Sequence, residues 1–180
     1  MAVKLHSCEN ARTFFQILRQ SPTAAALVRG GSAYPAVEGR VALYQTRVGV
    51  LVSAEFSGLP SGDLPCGEWV FALHIHSGAS CTGDREDPFQ NTLGHYNPGG
   101  CAHPGHAGDL LPLFGSGGYA FSVFLTDRFC VEEVLGRTVV LHRNPDDFTT
   151  QPSGNAGEKI ACGRIEKSDL HGSLCTTCLL

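Results

Sequence analysis

Residues 69–76 read WVFALHIH, a β-rich run that fixes the character of the chain around it. In a strand, His74 and His76 are two apart, so both rings leave the same face. Upstream lie VGVLVSAEF (48–56) and, before it, Val41, Leu43 and Gln45 alternating with Arg40, Ala42 and Tyr44. Downstream lie GYAFSVFLT (118–126), RTVVLH (137–142) and KIACGRI (159–165). Turn signals at 58–62, 115–118 and 152–155 separate these runs. Short strands, little helix and irregular stretches at about 77–117 and 143–158 predict a sandwich or barrel whose two long loops carry function.

The 180 residues suffice for one domain with a sizeable core. Lys plus Arg number 13 against 17 Asp plus Glu, a net charge of −4, so there is no general basic footprint for nucleic acid. Hydrophobic residues at 42% and charged residues at 17% describe a globular chain. The 22 Gly and 10 Pro suit many turns. No stretch approaches the ~20 apolar residues that span a bilayer, so no membrane partner is expected. Charges run through residues 1–20, where a signal peptide needs an apolar core, and a cytoplasmic protein is therefore expected. Eight Cys point the other way.

Residues 1–33 read as an N-terminal extension with a short amphipathic helix over 10–19 and a linker at Gly30–Ser32. The domain proper is expected over 34–165, followed by a polar tail, 166–180, carrying Cys175-x-x-Cys178. Without a second pair this CxxC is weak evidence of metal or redox chemistry.

Six of the eight His fall between residues 74 and 142. His103, His106 and Asp109 follow one another at intervals of three in a Gly/Pro-rich stretch. With His95 they form a His₃Asp set suited to tetrahedral zinc without an open position. His74, His76 and His142 leave an all-imidazole set that suits copper or zinc. A lone His is ordinarily a hydrogen-bonded residue and nothing more, but six His and an Asp in this pattern predict metal sites.

The stretches LHIHSGASC (73–81), HYNP (95–98), HPGHAGDL (103–110), GRTVVLH (136–142), PDD (145–147) and GNAGEKIACG (154–163) make the chain resemble a copper/zinc superoxide dismutase of the bacterial type, over residues 37–165. The resemblance implies an all-β Greek-key sandwich or flattened barrel of about eight strands. It implies copper on His74, His76, His95 and His142, and zinc on His95, His103, His106 and Asp109, with His95 bridging the two. It implies that Asp146 hydrogen-bonds one ligand of each metal, and that Cys81 and Cys162 form a disulfide. Superoxide would be the small-molecule partner, a homodimer is allowed, and no copper source or chaperone is indicated. His95 would serve catalysis as a proton carrier, and Lys159 as the anion guide.

Three departures from the family stand out. Lys159 occupies the usual Arg position and lacks the planar guanidinium fork. The loop 147–157 (DFTTQPSGNAG) is nearly uncharged, which lowers long-range steering unless Arg143 compensates. The extensions are unaccounted for. Cys66, Cys101 and Cys130 are expected as free thiols, with a Cys66–Cys130 pair as the other option. A dismutase-like zinc or copper buffer or scaffold is the competing reading, and the complete copper set argues against it. A zinc hydrolase with an open site would need a nearby general base, and Glu86 is the only Glu between 74 and 131.

Overall fold

A computed structural model describes residues 14–60 and 70–168. Nine antiparallel strands follow in chain order: β1 Ala24–Gly30, β2 Glu38–Thr46, β3 Gly49–Ser57, β4 Val70–Phe71, β5 Leu73–His76, β6 Leu113–Ser116, β7 Tyr119–Thr126, β8 Thr138–His142 and β9 Lys159–Lys167. Their order across the sheet is β4-β6-β7-β3-β2-β1-β9-β8-β5. The edge strands β4 and β5 are separated in sequence by Ala72 alone, so the sheet nearly closes into a barrel.

Alternation fills the inside. Val41 and Leu43, Val50, Val52, Ala54 and Phe56, Leu73 and Ile75, and Val139 and Leu141 all belong to one buried core. The outward residues of β5 and β8 are buried too, but under loops: His74, His76, Thr138, Val140 and His142 are all at most 3% exposed. Both faces of this corner of the barrel are therefore dry, and polar groups there need partners.

The expected all-β barrel is present, with nine strands among the described residues where about eight were expected. Two strands escaped the sequence reading. Strand β1 lies inside the stretch assigned to an extension, between β2 and β9, with Ala24, Ala26 and Val28 fully buried. Three consecutive Ala suppress the β-branched signature, and the sheet's packing overrides that propensity. Gly30 is the last residue of β1, so the supposed linker begins on the sheet. Strand β6 lies inside the stretch read as the long loop; it is short, and of its four residues only Leu113 is buried. Strand β9 extends to Lys167, two residues into the expected tail.

A helix, α1, occupies 14–18 within the predicted 10–19; residues 10–13 lie outside the described residues. Its Phe14, Ile17 and Leu18 pack on Ala42, Tyr44 and Leu51 on the outer face of β2 and β3. The amphipathic pattern thus covers a sheet face. A second helix, α2, is a single turn, Val131–Val134. Cys130, at its N-terminus, is disulfide-bonded, which corrects the expectation of a free thiol there. Cys101 is free and exposed. Cys66 and the Cys175/Cys178 pair lie outside the described residues.

Candidate metal centre

Strand β5 carries the first two histidines at a sheet edge, and the following loop covers that edge like a further strand. Ile75 N–H donates to Gly108 O at 2.8 Å, and Ile75 O accepts from Tyr96 N–H at 2.8 Å. These contacts bring His95 opposite His76 and Asp109 opposite His74. Only glycine fits at 108, because a Cβ there would lie 2.2 Å from Ile75 O. An irregular loop is thereby held in strand-like register, and its ligand-type side chains arrive beside those of β5.

Strand β8 brings His142 beside His74 and His76. Across from it the ladder slips: Leu141 pairs with Ala161, but His142 pairs with Lys159. The bulge lets Ile160 and Ala161 both enter the core and turns Lys159 to the face that holds His142.

All seven candidate ligands converge. One nitrogen from each of His74, His76, His95 and His142 lies within 4.8 Å of the others, and so do the donor atoms of His95, His103, His106 and Asp109. His95 belongs to both sets.

The protein decides which nitrogen each ring offers. His76 Nδ1–H donates to Leu93 O at 2.7 Å and His142 Nδ1–H to Gly157 O at 3.2 Å. Their Nε2 lone pairs then face each other at 3.2 Å. His74 Nε2–H donates to Asp146 Oδ2 at 2.8 Å, and His103 Nε2–H to Asp146 Oδ1 at 2.9 Å. The opposite nitrogens, His74 Nδ1 and His103 Nδ1, are buried without a hydrogen-bond partner, as is His95 Nε2. His103 Nδ1 stands 3.0 Å from Asp109 Oδ2 without hydrogen-bond geometry. His95 Nδ1 lies 2.7 Å from Asp109 Oδ1, and His106 Nδ1 lies 3.2 Å from the same oxygen.

Buried, unpaired and mutually facing lone pairs are costly, and a cation removes the cost. This is the fit of the residues to two metal ions. Titration agrees. Burial lowers the pKa of His74, holds that of His76 well below the usual value and lowers that of His142 to about 3, so these rings stay neutral and able to ligate. Burial opposes charge on Asp146 and Asp109, but hydrogen bonds from histidine outweigh it. Asp146 is lowered to about 2, and Asp109 is lowered as well.

The family model described as copper/zinc superoxide dismutase (SODC) matches residues 37–165. The chain belongs to the copper/zinc superoxide dismutase family. It is 34% identical over 144 residues to superoxide dismutase [Cu-Zn] 2 of Aquifex aeolicus, a match spanning 72% of this chain and 79% of the relative. It is 33% identical over 145 residues to superoxide dismutase [Cu-Zn] of Deinococcus radiodurans (71% and 76% covered), and 34% over 140 residues to that of Legionella pneumophila (73% and 80%). The solved Cu/Zn superoxide dismutase from Brucella abortus shares the fold: TM-score 0.67, 24% identity, 79% of this chain and 99% of that one.

Within this family member the Cys81–Cys162 disulfide is present, with a Cα–Cα distance of 5.6 Å. It packs with Phe89 and Val140 in a small cluster outside the barrel, tying the long loop to β9. Lys159, expected as the anion guide, has an acidic partner that the sequence does not show. Lys159 Nζ donates to Asp87 Oδ2 at 2.6 Å and to Phe89 O at 3.2 Å. It lines a cavity of about 440 Å³ together with Tyr34, Arg85, Asp87, Phe89 and Glu158. Arg143 lies beside Tyr34.

Several contributors carried no sequence signal. Leu93 and Gly157 act through main-chain carbonyls, which every residue has. Gly154 was legible only as part of a turn and of the matching stretch 154–163, yet with φ of +65° a Cβ there would sit 2.0 Å from Asp146 Oδ1. Asp87, Arg128 and Gln151 lie far in sequence from the atoms they hold.

Proposed function

We propose that this chain is a superoxide dismutase, with copper held by His74, His76, His95 and His142 and zinc by His95, His103, His106 and Asp109. The observation that carries the reading is the pair of donor sets sharing His95, each lined by nitrogen lone pairs that the protein leaves unpaired. Imidazole-only donors suit copper, and three imidazoles with a carboxylate suit structural zinc. Copper, when bound, supplies one-electron redox chemistry, by which two superoxide ions and two protons give O₂ and H₂O₂.

The chain's own residues supply the rest. Leu93 O, Gly157 O and Asp146 hold protons on the remote nitrogens of His76, His142 and His74, so the near nitrogens remain free to ligate. His95 differs from them. Neither of its nitrogens is committed to a carbonyl: Nδ1 lies against Asp109 and His106, and Nε2 is buried without a partner. Its Nε2 can take up and return a proton without breaking a hydrogen bond to the protein. Lys159 supplies the cation beside His142, and its charge helps to depress the pKa of His142. That charge is partly neutralised by Asp87, so Lys159 draws superoxide over a short range only.

The test is metal content and dismutation on one copper- and zinc-loaded sample, with His142→Ala alongside. One copper and one zinc per chain, with activity lost in the variant, is expected. Zinc alone, with no activity after copper loading, overturns the reading.

A further inference from the structure

We propose that Gln151 and Arg128, neither of them a candidate ligand, are positioning residues that hold the zinc-side loop in shape from outside. Three of the four donors of that set, His103, His106 and Asp109, sit on a loop without regular structure, with glycines at 99, 100, 105 and 108. Apart from the contacts of Gly108 with Ile75 and Tyr96, this segment has no ladder to keep its donors converged, and metal affinity falls quickly when donors wander.

Gln151 reaches across 48 positions to His103. Its Oε1 accepts from His103 N–H at 2.9 Å and its Nε2 donates to His103 O at 2.6 Å. One side-chain amide thus pairs with both main-chain groups of one residue, as a neighbouring strand would. The ring of the same residue is held by Asp146, which comes from the same loop, 143–158. That loop therefore grips His103 at its backbone and at its ring.

Arg128, just beyond β7, grips the other end. Its Nη1 donates to Pro104 O at 2.9 Å and to His106 O and Asp109 O at 3.3 Å each. The carbonyls of two candidate ligands are drawn onto one guanidinium nitrogen. Gln151 is exposed and adds nothing to the core, so its ordering serves the loop.

This inference rests on the metal reading above, and the experiment separates the two. The full chain, stripped of metal, is titrated with cobalt(II) as the probe of the zinc-side set, against a competing chelator, with the visible ligand-field spectrum as readout. Copper(II) is titrated in parallel. Gln151→Ala is expected to weaken cobalt(II) binding about tenfold or more, in the range typical of groups that orient ligands, and to change copper(II) affinity far less. Arg128→Met is expected to act in the same direction.

Gln151→Glu separates geometry from charge. It keeps the acceptor, loses the donor to His103 O and adds a negative charge near the cation. A clamp predicts weaker cobalt(II) binding, whereas a purely electrostatic role predicts tighter binding and overturns the proposal. The glutamate variant also carries the test if the alanine variant fails to fold. Unchanged cobalt(II) affinity in all three variants overturns the clamp while leaving the metal reading intact. A parent chain that binds neither ion overturns both.

Discussion

Asp146→Asn separates the two halves of the centre. Asp146 Oδ1 accepts from His103 Nε2–H at 2.9 Å and from Phe148 N–H at 2.7 Å, while Oδ2 accepts only from His74 Nε2–H at 2.8 Å. An asparagine amide has one acceptor oxygen and one donor nitrogen. Two donors converge at the Oδ1 position, so the amide oxygen stays there and the NH₂ group takes the place of Oδ2. It then faces His74 Nε2–H, donor against donor. His74 must move its proton to Nδ1, the nitrogen that faces the copper set, and a protonated nitrogen does not ligate. The lost interaction is a hydrogen bond to a charged group, worth about 1.5–3 kcal/mol. At about 1.4 kcal/mol per tenfold, copper(II) affinity falls roughly 10- to 150-fold. On the zinc side His103 keeps its bond, now to a neutral oxygen. A loss of about 1 kcal/mol there is roughly fivefold. Competitive titration of the stripped protein with copper(II) and cobalt(II) measures both. A cobalt(II) loss larger than the copper(II) loss, or a copper(II) loss below about threefold, refutes the tautomer argument.

Three further outcomes follow from the same geometry. Replacing Cys81 and Cys162 by Ser opens a bridge of sequence separation 81, which in the chain-entropy model removes about 4.5 kcal/mol and lowers Tm by roughly 10–18 °C in calorimetry; a loss under about 1 kcal/mol contradicts it. Asp87→Asn frees Lys159 from its ion pair and raises kcat/KM for superoxide about two- to fivefold at low salt, with the gain shrinking as salt is added; a fall in rate means that Asp87 orients the Lys159 ammonium instead of masking it. The stripped protein loses stability as pH falls from the ordinary histidine value of 6.5 toward about 3, because there the unfolded chain binds protons that His142 refuses; Asp146 adds a second loss as pH falls from 3.8 through about 2, and a urea midpoint that is flat from pH 7 to pH 4 contradicts the histidine part.

Much of the fold was legible because its core strands alternate strongly. Val48–Phe56 and Gly118–Thr126 fall on β3 and β7 to within a residue or so at either end. Strand β1 was hidden because its inward positions include Ala24 and Ala26, whose small side chains suit the barrel interior but signal helix as readily as strand. The Lys159 position was legible as a residue type but not as a geometry. Its facing depends on one extra residue in β9, and simple alternation counted back from Cys162 would have turned it into the core.

The centre was legible in its donor types and not in its donor atoms. Histidine spacing names the rings, yet an imidazole offers two nitrogens, and the choice between them is made elsewhere. For His76 and His142 it is made by the carbonyls of Leu93 and Gly157. For His74 and His103 it is made by one carboxylate, Asp146, which needs the bare α-carbon of Gly154 beside it. These partners come from both long loops, the same loops that bury the rings and keep them neutral. Burial and tautomer selection are therefore one act of folding. A substitution that opens either loop should expose the rings and release their remote protons together, lowering metal affinity without touching a ligand.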